Sequence, residues 1–197
     1  MKKIGIIDSG TSNISSIIKS FQMINTDPAV ILRGEEIKKF DLIILPGVGT
    51  FPYAIKNLKK KKIFNHIIDY SEKKKKFLGI CLGMQLLSSY SNEIKKTNGI
   101  NQIPGKIVKI KNENFNIGWK KIKVENDSFL SRFNNKYFYF QHQYKYEGSK
   151  RFIISTTHDH EKIPSIIIKN NIIGVQFHPE KSQENGLNFL KFITENF

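Results

Sequence analysis

The chain carries one cysteine, Cys81, in the run Gly79-Ile80-Cys81-Leu82-Gly83. A cysteine flanked by glycines, between an apolar run and a helical pattern, has the form of a nucleophile elbow: a sharp turn lifts one side chain above the sheet. The helix expected after Cys81 would favour a thiolate through its N-terminal N–H groups and dipole. The N–H of Leu82 would face any oxyanion formed there. A free thiol is mostly protonated at neutral pH, so a base is needed nearby. Of His66, His142, His158, His160 and His178, the last directly follows an apolar run, in Gln176-Phe177-His178-Pro179-Glu180. Residues just past the strand ends of an open parallel sheet gather along one edge, where Cys81 also belongs. Glu180 can accept from the imidazole and fix its tautomer. Pro46-Gly47-Val48-Gly49-Thr50-Phe51 follows another strand to the same edge, and its glycines allow an N–H to aim at a substrate oxygen. Each feature has a plainer reading: a buried cysteine filler, a His-Pro-Glu turn, an ordinary β-to-α loop. Their convergence on one edge favours chemistry.

The elements that must position these residues change character along the chain. Lys3 to Asp8, Ala29 to Leu32, Asp41 to Leu45 and Phe77 to Ile80 read as short buried strands. Ser12 to Ile24 and Tyr53 to Ser71 carry helical spacing between them. Such alternation predicts an α/β fold, a doubly wound, mostly parallel open sheet covered on both faces. After about Asn92 the strand candidates follow one another: Gly105 to Lys111, Trp119 to Val124, Tyr137 to Phe140, Arg151 to Thr157, Ser165 to Ile168 and Ile172 to Phe177. They predict an antiparallel extension, with Lys169-Asn170-Asn171 as a turn. Glu184 to Phe197 closes the chain as an amphipathic helix. With no repeat or linker, residues 1–197 read as a single domain.

Composition removes other classes. The net charge is +15, but lysine outnumbers arginine 29 to 3, and the 32 isoleucines and 18 asparagines are inflated together. That is a bias of the whole composition, not a surface of arginine forks built for phosphate. The lysine quartets beginning at Lys59 and Lys73 read as solvated helix flanks, and no recognition motif supports nucleic-acid binding. One cysteine excludes a disulfide framework and a Cys-rich zinc site. Ile4 to Asp8 is too short an apolar run for a signal peptide, and no segment approaches the roughly 18 apolar residues of a membrane span. A soluble cytoplasmic protein is expected.

Taken together, Pro46-Gly47-Val48-Gly49, Gly79 to Gln85 and Gly174 to Ser182 resemble the triad-type (class I) glutamine amidotransferases. Within that family the chain is similar over essentially its full length to glutaminase subunits of imidazole glycerol phosphate synthase, including Ile103-Pro104-Gly105, Gly118-Trp119 and Phe138-Tyr139-Phe140. The resemblance implies hydrolysis of L-glutamine to glutamate and ammonia. Cys81 would be the nucleophile, His178 the base and Glu180 its orienter, with Val48 and Leu82 lending oxyanion-hole amides. Gly47, Gly49, Gln85, Glu93, Gln143 and Tyr144 would hold the substrate. No metal or organic cofactor is implied. The implied partner is a (βα)8-barrel cyclase subunit, met as a heterodimer through Asn13, Trp119 and Lys181. Trp119 could equally be a core aromatic.

Three segments depart from the family's usual pattern: Ser9-Gly10-Thr11-Ser12-Asn13, Asn116-Ile117-Gly118-Trp119-Lys120 and Gln141-His142-Gln143-Tyr144. None touches the triad. They keep two alternatives open: a paralogous subunit that supplies ammonia to a surface-sugar amidotransferase, and a stand-alone thiol hydrolase of the same architecture.

Overall fold

Of the four runs expected as buried strands, those at Lys3 to Asp8, Asp41 to Leu45 and Phe77 to Ile80 lie in the interior of the sheet. Ala29 to Leu32 is its edge, with Val30 and Leu32 exposed because no strand covers that side. A computed structural model describes residues 2–73, 75–111, 115–125, 128–159 and 161–197. His160 lies outside them. The strands are β1 (Ile4–Ile7), β2 (Ala29–Ile31), β3 (Leu42–Gly47), β4 (Lys76–Cys81), β5 (Tyr90–Ser91), β6 (Thr97–Asn98), β7 (Gly105–Lys109), β8 (Asn116–Val124), β9 (Tyr137–His142), β10 (Tyr144–Gly148), β11 (Ile153–Asp159), β12 (Glu161–Lys169) and β13 (Ile172–Val175). The α-helices are α1 (Ile14–Gln22), α2 (Phe51–Lys60), α3 (Ile63–Glu72), α4 (Leu82–Leu86) and α5 (Gln183–Asn196).

Among the described residues, nine strands form one sheet in the order β2-β1-β3-β4-β13-β12-β11-β8-β9. Pairing is parallel from β2 through β13 and antiparallel from β13 through β9. The expected parallel half and antiparallel extension are therefore one continuous sheet. Ile43 and Leu45 face one hydrophobic cluster and Leu42 and Ile44 the other, which is why β3 has no polar positions. A second sheet, β10-β7-β5-β6, was not foreseen, because β5 and β6 are only two residues each.

Boundaries move for identifiable reasons. The first helix begins at Ile14 because Asn13 is its cap, accepting from the Ser16 N–H at 3.3 Å. The stretch from Tyr53 to Ser71 divides into α2 and α3 at Lys61-Lys62, where Lys62 takes a left-handed φ of 56°. Asn170, also left-handed, makes the expected turn between β12 and β13. The lysine runs are less solvated than their composition suggests: Lys61 Nζ donates to the Asp8 carbonyl at 2.7 Å, and Lys75 Nζ donates to the Phe40 carbonyl at 3.0 Å. No helix among the described residues is long and apolar enough to cross a membrane.

Candidate active site

Cys81 ends β4 and caps α4 with φ 53° and ψ −110°, a strained conformation for a residue with a side chain. The flanking glycines make the turn possible by close approach. A Cβ on Gly83 would lie 1.7 Å from the Leu45 carbonyl oxygen, and one on Gly79 would lie 2.8 Å from the backbone of Gly83. Leu82, the first residue of α4, holds an N–H with no carbonyl partner inside the helix.

β13 runs parallel beside β4, with Val175 opposite Ile80, so the segment after β13 emerges next to Cys81. His178 lies there, almost wholly buried, and its Nδ1 is 2.8 Å from Glu180 Oε1. Two bonds hold the ring's segment to β9: the His178 N–H donates to the Tyr139 carbonyl at 2.9 Å, and the Tyr139 N–H donates to Ser182 Oγ at 2.9 Å. Ser182 Oγ donates back to the His178 carbonyl at 2.6 Å. Burial would push the imidazolium toward losing its proton. The charge and hydrogen bond of Cys81, with those of Glu180, outweigh burial and raise its pKa above the usual value. The site therefore holds His178 protonated beside Cys81, with the second oxygen of Glu180 buried and unpartnered.

Around this pair opens a cavity of about 500 Å³. Gly47, Val48, Gly49, Leu82, Gln85, Glu93, Gln143, Tyr144 and Glu180 all line it, as do Asn13 and Lys181. Of the residues expected from sequence, Trp119 alone is absent from its wall. Glu93 is tied to the N-terminus of α2, its Oε2 accepting from the Phe51 N–H at 2.7 Å. Burial raises its carboxyl pKa, and that hydrogen bond opposes the rise.

The class-I glutamine amidotransferase family model matches residues 5–194. A relative from Caldanaerobacter subterraneus, imidazole glycerol phosphate synthase subunit HisH, is 42% identical over 95% of this chain and 95% of its own. The protein of the same name from Lactococcus lactis is 39% identical over 99% of both chains. This chain belongs to the class-I glutamine amidotransferase family. The crystal structure of a glutamine amidotransferase superposes with a TM-score of 0.77 over 96% of each chain at 12% identity, a likeness of fold.

Two residues expected in this site bond to the protein itself in the structure. The N–H of Val48, expected to face the oxyanion, instead donates to the Thr11 carbonyl at 2.6 Å. One of the two expected donors is thus engaged elsewhere. Gln85, expected to hold substrate, spends its Nε2 on the protein, donating to the Tyr144 carbonyl at 3.0 Å and to Gln176 Oε1 at 3.2 Å. Only its Oε1 is left to meet a ligand.

Trp119 is not a core residue. It is 43% exposed and packs edge-on against Tyr139, its cross-strand partner, with ring centroids 6.1 Å apart. Lys181 Nζ sits 5.6 Å from the same tyrosine ring and donates to Gln141 Oε1 at 3.1 Å. Phe115, Ile117 and Val48 are also exposed beside the cavity mouth, so a partly apolar rim surrounds it.

Three residues of the site had no role in the sequence reading: Gln176, His142 and Asn116. His142 Nδ1 donates to the Tyr144 carbonyl at 2.8 Å, and its Nε2 accepts from Asn116 Nδ2 at 2.7 Å. Burial, aided by the charge of His178, lowers the His142 pKa to about 4 against the opposing bond to Tyr144, so the ring is neutral. The available signal was that Asn116 and His142 both fall in segments that depart from the family pattern. Among the described residues, no three His, Cys, Asp or Glu side chains are grouped to hold a metal ion.

Proposed function

We propose that the chain is the glutaminase subunit of an imidazole glycerol phosphate synthase, with residues 1–197 acting as one amidotransferase domain in the cytoplasm. The observation that carries this reading is the buried Cys81–His178–Glu180 array at the edge of a cavity in a chain of this family. Relatives at 42% and 39% identity both carry the HisH name, which supports the histidine pathway over surface-sugar modification and over a stand-alone hydrolase.

The thiolate of Cys81 attacks the side-chain amide carbon of glutamine, and the carbonyl electrons move onto oxygen. The Leu82 N–H stabilises that oxyanion; a donor of this kind is worth two to three decades in rate. As the carbonyl re-forms, the C–N bond breaks and His178 gives its proton to the departing nitrogen, so ammonia leaves and a γ-glutamyl thioester remains. His178 then takes a proton from water as the water attacks the thioester. The C–S bond breaks and glutamate departs. Glu180 holds the ring in one tautomer throughout. Glu93 is suited to the substrate α-ammonium group, and the backbone at Gly47, Gly49, Gln143 and Tyr144 completes the pocket. The ammonia passes to a (βα)8-barrel cyclase docked on the rim around Asn13, Trp119 and Lys181.

Replacing Cys81 by alanine should abolish glutamine turnover, and a diazo-ketone mimic of glutamine should label Cys81. His178→Ala should be nearly as damaging, and the double variant little worse than either, because residues acting as a unit do not add. Glu180→Gln costs less. Normal turnover by the Cys81→Ala chain would sink the assignment.

A further inference from the structure

Cys81 Sγ has a polar neighbour outside the triad: the side-chain amide of Gln176, with Nε2 at 3.8 Å. Gln176 is fully buried at the end of β13, and its own N–H donates to the Ser165 carbonyl at 2.9 Å, so the backbone that carries it is fixed. An amide can present nitrogen or oxygen to a neighbour, and its surroundings decide which. Here they decide it in two steps. The Tyr144 carbonyl can only accept, so the amide nitrogen of Gln85 must face it, at 3.0 Å. The second N–H on that nitrogen then points at Gln176 and requires the oxygen of Gln176 in return, at 3.2 Å. The nitrogen of Gln176 is left facing the sulfur.

The Tyr144 carbonyl that starts this sequence is itself held. His142 Nδ1 donates to it at 2.8 Å, and Asn116 Nδ2 holds the far side of the ring at 2.7 Å. A neutral imidazole with its Nδ1 proton on Tyr144 has only an acceptor at Nε2, which Asn116 supplies with a donor. The bonds from Asn116 to Gln176 thus agree in direction along the whole line.

We propose that Gln176 is a further catalytic residue of this site, its amide N–H aimed at Cys81 Sγ and favouring the thiolate, with Gln85 the positioning residue that keeps it turned that way. A donor directed at an anion in a buried, low-dielectric setting stabilises the charged form over the neutral one. The inference rests on the reading of Cys81 as the nucleophile. It also gives Gln85 a role within the protein, with the two protons of its amide spent on Tyr144 and Gln176.

Because the chain has one cysteine, iodoacetamide reports on Cys81 alone, and the isolated full-length protein suffices. Alkylation rate is measured against pH for the wild type, Gln176→Met and Gln85→Met, each checked for a cooperative thermal transition. Methionine keeps the length of glutamine and removes the amide. The midpoint of the profile moves upward by about half a pH unit to one unit in Gln176→Met, since fewer donors then meet the thiolate. It moves the same way by less in Gln85→Met, where the Gln176 amide loses the partner that orients it. If either variant does not fold, the other carries the test. Profiles that coincide with the wild type overturn the role of Gln176. Glutamine turnover by Cys81→Ala, measured alongside, separates the two readings. Its persistence removes the nucleophile itself, whereas its loss together with unmoved profiles removes only Gln176.

Discussion

The backbone N–H of Val48 donates to the carbonyl of Thr11 at 2.6 Å, although Val48 lines the cavity that holds Cys81. In the proposed mechanism an oxyanion formed on the substrate then meets the Leu82 N–H without that of Val48. Rotation of the Gly47-Val48 peptide would free the second donor; it turns about ψ of Gly47, where glycine lowers the cost, and φ of Val48, with Gly49 free to absorb the change that follows. Gly49 already takes a φ of +89°, with open space where a Cβ would stand.

The isolated chain is therefore expected to hydrolyse glutamine about a hundred- to a thousand-fold more slowly than a complex in which both donors are aligned. Alkylation of Cys81 needs no oxyanion hole and should proceed readily in the isolated chain. Gly49→Ala should depress the activated rate, because alanine is strained at that φ. Steady-state turnover with and without the proposed barrel partner checks this. A lone chain that works within a few-fold of the complex would show that the Val48 N–H is not limiting.

His142 links stability to pH with a definite sign. Its pKa in the folded chain is lowered to about 4, by burial first. Unfolded, it takes up a proton near its ordinary value of about 6.5. Between those values the unfolded state holds a proton that the folded state lacks, so stability falls as pH falls. The His142 contribution alone loses roughly 2 kcal/mol between pH 7 and 5. His178, which faces it, works the other way: its folded form is raised and stays protonated while its unfolded form takes up a proton in the same window, which offsets part of that loss. The fall in urea midpoint from pH 7 to pH 5 should be smaller in His142→Asn than in the wild type, or reversed, even though the variant is less stable overall. Equal differences would mean that His142 does not titrate as described.

Much of the site was legible because its parts lie in continuous motifs that a parallel sheet must bring to one edge. Cys81, His178 and Glu180 needed only strand ends and neighbouring order. The reading failed where a role depends on a long-range partner or on a single peptide's orientation. Gln176 meets Cys81 across 95 positions, and Asn116 meets His142 across 26. No residue type specifies that Val48 points its N–H at Thr11. The helix boundary at Asn13 was recoverable from its capping chemistry, but the helical spacing of the apolar residues drew the boundary outward to Ser12.

Ile94 illustrates the same limit. It sits at φ 63° immediately after Glu93, and its side chain is 78% exposed. A β-branched residue is among the least suited to that conformation, and such strain costs about 1 to 3 kcal/mol. Ile94→Gly should stabilise the chain by about 1 kcal/mol, after the extra backbone entropy of glycine is counted. The melting temperature should rise by about 2 to 4 °C. Because the Glu93 carboxylate is anchored by the Phe51 N–H, KM for glutamine should change little. A lower melting temperature would show that the isoleucine side chain contributes more than the strain costs.

Lys181, Tyr139 and Trp119 join the exposed rim to the triad, and this path yields the last expectation. Trp119 packs on the Tyr139 ring, while the Tyr139 carbonyl accepts from the His178 N–H and its own N–H donates to Ser182 Oγ. Lys181 lies one residue after Glu180, with its ammonium 5.6 Å from the centroid of the same ring. A partner that seats on Trp119 and offers a carboxylate to Lys181 would draw the ammonium away from Gln141 and load the segment carrying His178 and Glu180. Removing one member of a desolvated charge pair costs about 2 to 5 kcal/mol, and an exposed tryptophan is a common interface anchor. Trp119→Ala should weaken association with the cognate barrel at least ten-fold. Lys181→Ala should lower the partner-stimulated glutaminase rate by a larger factor than it lowers affinity. Neither variant should slow iodoacetamide labelling of Cys81 in the isolated chain, because neither side chain touches the thiol. Calorimetric titration of the barrel subunit gives affinity, and turnover at saturating barrel gives stimulation. Wild-type values of both in both variants would place the partner on another face of the molecule.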